Sequence, residues 1–154
     1  MSEIKVDSVV NAGGDNDSGL DLSTNDVVKV NIAGSEKARV DSNGHLLVGK
    51  TSTGIGTVGA ELKSTGELLA TVSGDACAFL NRTSSDGKLI DMRKDGTTRG
   101  FIGLNNNDPF IARSSGNGMR WFSGGLHPCD ENGATADDAV DLGNSGGRFD
   151  DIFA

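Results

Sequence analysis

The chain has 154 residues and a formal net charge of −8, from 22 acidic and 14 basic side chains. This balance argues against nucleic acid and anionic membrane surfaces as partners, because both attract clustered Lys and Arg. No apolar run approaches the about 20 residues that span a bilayer, and the first ten residues lack the features of a secretory signal, so we expect cytoplasmic folding without membrane insertion.

The first predicted region, residues 1–50, begins with a strand and ends with a hairpin. A strand near Val6 and Val9 precedes the polar stretch NAGGDNDSG and the alternating run DVVKVNIAG. In RVDSNGHLLVG, the turn Ser42-Asn43-Gly44 separates two apolar arms. Asn and Gly tolerate positive φ, so this pattern predicts a β-hairpin.

The second predicted region, residues 51–104, has the densest hairpin pattern. ELKSTGELLATV places Ser64-Thr65-Gly66 between alternating apolar positions, and further turns are predicted at Asp86-Gly87 and Asp95-Gly96. The third predicted region, residues 105–154, is a loop-rich distal β region with another turn at Gly116-Asn117-Gly118. No segment sustains helical periodicity over three turns, so the sequence predicts an all-β chain of short antiparallel strands and hairpins.

The apolar supply of the chain is small. Leu, Ile, Val and Phe make up 36 of its 154 residues, close to the share of about 20% below which disorder is the usual outcome. Short strands also leave unpaired edges that favour association. We therefore expect several chains to share a core.

Three segments resemble bacteriophage tail fibres, in the order that this family shows. ARVDSNGHLLVGKTS resembles the strand-turn-strand pattern R-I/V-D-S-x-G-x-L/V-x-V/I-G. LNRTSSDGKLIDMRKDGTTRGFIG resembles N-R-x-x-S-D-G followed by F/M-R-K/R-D-G and G-x-I-G. AVDLGNSGGRFDDIFA is similar to a D-L-G, R-F/W, D/N-I/L-Y/F segment that commonly precedes an endosialidase-type intramolecular chaperone in this family.

The resemblance covers roughly residues 36 to 154 and implies an elongated, homotrimeric, β-rich virion fibre with a core shared between chains. Its N-terminal region, residues 1–50, would attach to tail or baseplate proteins and begin a shaft that residues 51–104 continue. Its distal part would reach the host surface. We expect the third region to lead into a C-terminal chaperone that is absent from these 154 residues. Candidates for the trimer core are Leu46, Val48, Leu68, Phe149, Ile152 and Phe153.

The stretch from Asn105 to Gly133 is the candidate tip, because exposed loops on a rigid scaffold commonly carry recognition. Its candidate contacts with a host glycan or protein are Trp121, Phe122, His127 and Asp130. Phe101, Phe110, Trp121 and Phe122 are also candidates for a sugar-binding face. For these four aromatic residues we favour core positions.

No motif predicts a metal, a cofactor or a catalytic residue. Asp15, Asp17 and Asp21 lie near one another, but the distal Glu of an EF-hand is missing, which favours a solvated turn. The segment 127–131 contains His, Cys, Asp and Glu without a second His/Cys pair, which favours a surface loop over a zinc site or a Cys–His pair. Accordingly, Cys129 is expected to be a loop thiol, and Cys77 a small buried residue.

The leading hypothesis is a non-enzymatic structural protein of the virion, a tail fibre or similar appendage that is assembled in the host cytoplasm and used in host attachment. One alternative is a polysaccharide depolymerase of the tailspike kind, which would need two carboxylates in a groove. Another is a decoration or baseplate protein without a receptor.

Overall fold

The structure, a computed structural model, describes residues 5–11, 13–138, 140–141, 143 and 145–147. Every helix or strand within these ranges is a β-strand, which confirms the all-β prediction. The strands are β1 (Ser8–Val10), β2 (Gly19–Asp21), β3 (Val28–Ile32), β4 (Ser35–Val40), β5 (Leu46–Val48), β6 (Gly59–Leu62), β7 (Leu68–Thr71), β8 (Gly87–Lys94), β9 (Thr97–Asn105), β10 (Asp108–Arg113), β11 (Gly118–Phe122) and β12 (Gly125–Cys129).

The chain divides into two compact units, Met1–Phe79 and Leu80–Ala154. In the first unit, β1 to β7 form one antiparallel sheet in sequence order, and in the second unit β8 to β12 do the same. Each strand pairs with the strands before and after it in the chain, so both sheets are meanders of hairpins, as predicted. The functional division at residues 50 and 104 stays a prediction.

Four hairpins close through two residues that both have positive φ: Ala33-Gly34, Asp95-Gly96, Asn106-Asn107 and Ser123-Gly124. Positive φ at both central positions gives a turn whose twist matches that of the flanking strands. The predicted hairpin at Asp95-Gly96 is therefore confirmed.

The predicted hairpins at Ser42-Asn43-Gly44 and Ser64-Thr65-Gly66 are also confirmed, as the connections β4–β5 and β6–β7. In the first, the Asp41 carboxylate accepts hydrogen bonds from the amide groups of Asn43 and His45, both at 2.9 Å. These amides hold the pKa of Asp41 below its usual value.

The predicted hairpin at Asp86-Gly87 is wrong. Gly87 begins β8, which pairs with the following strand β9, and residues 80–86 contain no strand. Asp86 instead accepts a hydrogen bond from the amide of Asn106 at 2.7 Å, so it supports the β9–β10 turn on the neighbouring strand.

The core of the second unit lies on one face of its sheet, where Phe101, Phe110, Ala112 and Cys129 are buried. Residues 130–136, here called the second strap, cross this face. A Cβ added to Gly133 would lie 2.5 Å from the Phe110 ring, so only glycine permits this approach. The core positions predicted for Phe101 and Phe110 are confirmed.

Both cysteine predictions are wrong. Cys77 is exposed, because it lies in the irregular segment between β7 and β8. Cys129 is buried at the end of β12, and this burial raises the pKa of its thiol.

The first unit buries Leu47 and a charged pair on one face of its sheet. Residues 49–58, here called the first strap, cross that face and carry Lys50, whose Nζ lies 3.1 Å from Oε2 of Glu61. The Gly54 amide donates to the same oxygen at 2.9 Å, and Lys50 donates to the Gly54 carbonyl at 2.6 Å. The strap is thus closed over Leu47 by a buried ion pair.

Candidate functional site

The seven-stranded sheet has one polar and one apolar face. Residues that oppose each other in antiparallel strands lie on the same face. A row of apolar side chains therefore crosses all seven strands, and a second row crosses β3 to β7. We call this surface the first apolar face, and its members are Val9, Leu20, Val28, Val30, Ala38, Val40, Leu46, Val48, Ala60, Leu62, Leu68 and Ala70.

Among the described residues, much of this face is exposed. Leu46, Val48 and Leu68, three of the predicted trimer-core residues, lie on it and are 42%, 47% and 77% exposed. The first strap lies on the opposite face, together with the ion pairs Lys29–Asp21 and Arg39–Glu36. The other three predicted core residues, Phe149, Ile152 and Phe153, lie outside the described residues.

The polar face of this sheet is held by charge-assisted hydrogen bonds. The hydroxyl and amide of Ser23, followed by the ammonium of Lys29, lower the pKa of Asp21 to about 2. The two faces of the sheet thus differ in chemistry. The charged groups of one face form ion pairs within the chain, although Oε1 of Glu61 has no hydrogen-bond partner among the described residues, and the other face is apolar.

The first fibre-like segment has a physical explanation in this sheet. Its apolar positions Val40, Leu46 and Val48 all lie on the first apolar face. Its Asp41 accepts the turn amides, and its Gly44 has φ +77°. The residues that match the fibre pattern are therefore those that build the hairpin and its apolar side.

The five-stranded sheet repeats this division. The second strap covers one face, and the other carries an apolar row that crosses β8 to β12 together with the opposed pair Trp121 and Leu126. We call it the second apolar face, and its members are Ile90, Met92, Ile102, Leu104, Pro109, Ile111, Met119, Trp121, Leu126 and Pro128.

The four candidate receptor contacts do not form one cluster. Trp121 lies on the second apolar face and is 48% exposed, whereas the adjacent Phe122 projects from the other face of β11. There Phe122 stacks edge-to-face on His127, with ring centroids 5.6 Å apart, and the Arg120 guanidinium lies 4.6 Å from the Phe122 ring centroid. Whether any of them contacts a receptor stays a prediction.

Asp130, the fourth candidate, closes the turn of the second strap. Its Oδ1 accepts hydrogen bonds from the amides of Asn132 at 2.8 Å and Ala134 at 2.9 Å. This turn carries Gly133, which packs on Phe110 and accepts a hydrogen bond from Arg120 at 3.1 Å. The sequence suggested Asp130 as a receptor contact, but the hydrogen bonds that it accepts in the structure stabilise a turn.

Replacing Asp130 with alanine is expected to destabilise the second unit by about 1–2 kcal/mol, because two turn amides lose their acceptor. Urea unfolding monitored at Trp121 measures the change. Asp130→Asn keeps an acceptor oxygen and is the matched control, so it is expected to restore most of the loss. Equal stability of the alanine variant and the unmodified chain would contradict this structural role.

The second fibre-like segment contains β8, the edge strand of the second sheet, and most of the adjacent strand β9. A hollow of about 400 Å³ there is lined in part by Arg82, Asp86 and Lys88. Arg82 Nε donates to the Ser85 carbonyl at 3.1 Å, and Lys88 Nζ lies 3.3 Å from the centroid of the Phe101 ring. Both cations therefore have local structural partners.

Among the described residues, no group of three or more His, Cys, Asp or Glu side chains is arranged to hold a metal ion. Asp21, one of the three aspartates considered above, is bound by Ser23 and Lys29. Within the same ranges there is no helix that could span a membrane.

No family model, no curated protein and no solved structure matches this chain.

Proposed function

We propose that this chain is a structural subunit of a bacteriophage tail fibre or similar appendage, and that it works as a homotrimer without enzymatic activity or cofactor. The observation that carries the proposal is the first apolar face, which spans all seven strands and is largely exposed among the described residues. Three such faces turned toward a common axis would form a shared core in addition to the small core of each chain.

The exposure of large apolar side chains supports an assembly that covers them. On the first apolar face Val9 is 53% exposed, Leu62 is 47% exposed and Leu68 is 77% exposed. Soluble monomers rarely leave continuous apolar patches of this kind open.

The fibre assignment rests on the three segments that resemble tail fibres. The described part of these segments supplies hairpin turns and apolar-face residues, as at Val40, Leu46 and Val48. We place the assembled protein in the virion, bound to tail or baseplate proteins through its N-terminal region. Host attachment would involve the β11–β12 end, where Phe122 and His127 lie opposite the second apolar face.

The solution mass of the purified chain tests the assembly. We expect three times the subunit mass of 15.8 kDa by light scattering, and persistence of this species in mild detergent. A monomer at micromolar concentration would contradict the proposal.

Two further measurements test the role in the virion. Antibodies against the chain are expected to label the tail of the virus that encodes it, and the purified protein is expected to compete with adsorption to the host. Labelling of the capsid would favour a decoration protein. Release of reducing ends from host polysaccharide would favour the depolymerase alternative.

A further inference from the structure

We infer that the second apolar face is also a contact between copies of this chain, so that Trp121 is buried in the assembly and is not presented to a receptor. This inference rests on the homotrimer proposed above and adds a second interface to it. According to this inference, one face of the β11–β12 hairpin, with Trp121 and Leu126, contacts another copy, whereas the other face, with Phe122 and His127, does not.

The second apolar face is continuous across its sheet. Ile90, Ile102, Ile111, Met119 and Pro128 occupy opposed positions on five successive strands. The opposed pair Trp121 and Leu126, on the same face, is 48% and 51% exposed, and Ile111 is 45% exposed. A surface of this size and composition on a water-soluble protein usually marks an interface.

Charge favours a second copy as the occupant. Each chain carries a net charge of −8, so two copies repel each other wherever their carboxylates are brought together. Neither apolar face carries an Asp or Glu from its strands, and the charged strand residues on the side of the second face, among them Arg113 opposite Gly100, are cations. Like-charged copies can therefore meet through these faces at the lowest electrostatic cost.

Covalent connection adds a second reason. Residues 72–86 join β7 to β8, so assembly through the first apolar face brings three second units within the reach of this connection. Tethering of this kind gives an effective concentration on the order of millimolar. At such a local concentration, the second apolar faces of the three copies would meet one another more often than they meet any other protein.

The opposite side of the hairpin makes several contacts within its own unit, although Nε of Arg120 has no hydrogen-bond partner among the described residues. Phe122 packs edge-to-face on His127 beneath the Arg120 guanidinium, and Arg120 forms an ion pair with Asp108 at 2.8 Å. If the hairpin meets a receptor, this is the side that remains available after Trp121 is covered.

The chain contains one Trp and no Tyr, so its intrinsic fluorescence reports on this face alone. We expect the assembled protein to show blue-shifted emission and several-fold weaker quenching by acrylamide than a dissociated reference. Val48→Asp, a substitution on the other sheet, supplies that reference. A matched pair of variants then tests the contact: Ile111→Asp is expected to shift the emission to the red, whereas Leu80→Asp, at a position that is 54% exposed and outside both faces, is expected to leave it unchanged.

Each outcome decides between the two proposals. A trimer with protected Trp121 supports both interfaces. A trimer in which Trp121 is as accessible as in the dissociated reference overturns the second interface and leaves the first intact. If Trp121 becomes protected only after a receptor or another virion protein is added, the second interface between copies is likewise overturned. A monomer overturns both.

Discussion

Val48→Asp is expected to dissociate the homotrimer into folded monomers. Val48 lies in the middle of the first apolar face, between Ala38 and Ala60 on the adjacent strands. In the proposed assembly each copy would bring a carboxylate into a water-poor core. Burial of an unpaired charge costs several kcal/mol per ion, so we expect association to weaken by at least about a thousandfold.

The same substitution on the other face provides the control. Val10 belongs to the same sheet and is 45% exposed, against 47% for Val48, but it projects from the polar face. Val10→Asp should therefore leave the trimer intact. Both valines are already half exposed in the single chain, so neither aspartate should unfold it.

Analytical ultracentrifugation at several protein concentrations measures the effect, and circular dichroism verifies that both variants retain their strands. Assembly of Val48→Asp at wild-type affinity would show that the first apolar face is not the shared core. Dissociation of both variants alike would show that added charge, and not its position, controls assembly.

The sequence predicted the hairpins that contain an Asn-Gly, Asp-Gly or Thr-Gly step. It missed Ala33-Gly34, Asn106-Asn107 and Ser123-Gly124, although all three have positive φ at both residues. Asn tolerates this conformation and Gly adopts it at no cost, so a search for adjacent Asn or Gly residues could have found Asn106-Asn107. Ala33 and Ser123 are residue types that rarely adopt positive φ, so their turns gave no such signal. The hairpin prediction at Asp86-Gly87 was wrong because a glycine, here with φ +139°, can begin a strand as well as form a turn.

Burial was harder to predict than strand position. Leu46, Leu47 and Val48 are similar residues in one strand, yet Leu47 is fully buried and its neighbours are about half exposed. The first strap decides which face of β5 is covered, and no local pattern shows where a loop of ten residues will fold. Trp121 and Phe122 illustrate the same limit, because adjacent strand residues project to opposite faces.

Exchange of Glu61 for glutamine is expected to open the first strap. The pair of Lys50 and Glu61 has side chains that are 1% and 0% exposed, so the exchange leaves a buried ammonium group without its counter-charge. Removing one partner of a buried pair is strongly destabilising, and we expect the melting temperature of the first unit to fall by roughly 10 °C or more. Glu67→Gln removes an exposed partner, 55% exposed and 3.9 Å from Lys63, and is expected to change it by only a few degrees.

Trypsin gives a direct assay of strap opening, since it cleaves after Lys50 only when that residue is accessible. We expect rapid cleavage at Lys50 in Glu61→Gln and slow cleavage in both Glu67→Gln and the unmodified chain. The double variant Lys50→Met with Glu61→Leu removes both charges and should regain part of the lost stability. If Glu61→Gln resists trypsin as well as Glu67→Gln does, the buried pair is not what holds the strap closed.

Acid should open the strap in the unmodified chain. The Gly54 amide, followed by the Lys50 ammonium, holds the pKa of Glu61 below its ordinary value of 4.5. A carboxylate whose pKa is lower in the folded chain contributes stability above its ordinary pKa and loses it as pH falls through the folded value. Protection of the Gly54 amide from hydrogen exchange, corrected for the intrinsic rate, should therefore be constant from neutral pH down to about 4.5 and decline below it. Because the glutamine in Glu61→Gln cannot be protonated in this pH range, protection of the Gly54 amide in this variant should be low at every pH. If protection declines with acid to the same extent in both proteins, the opening of the strap is caused by other carboxylates.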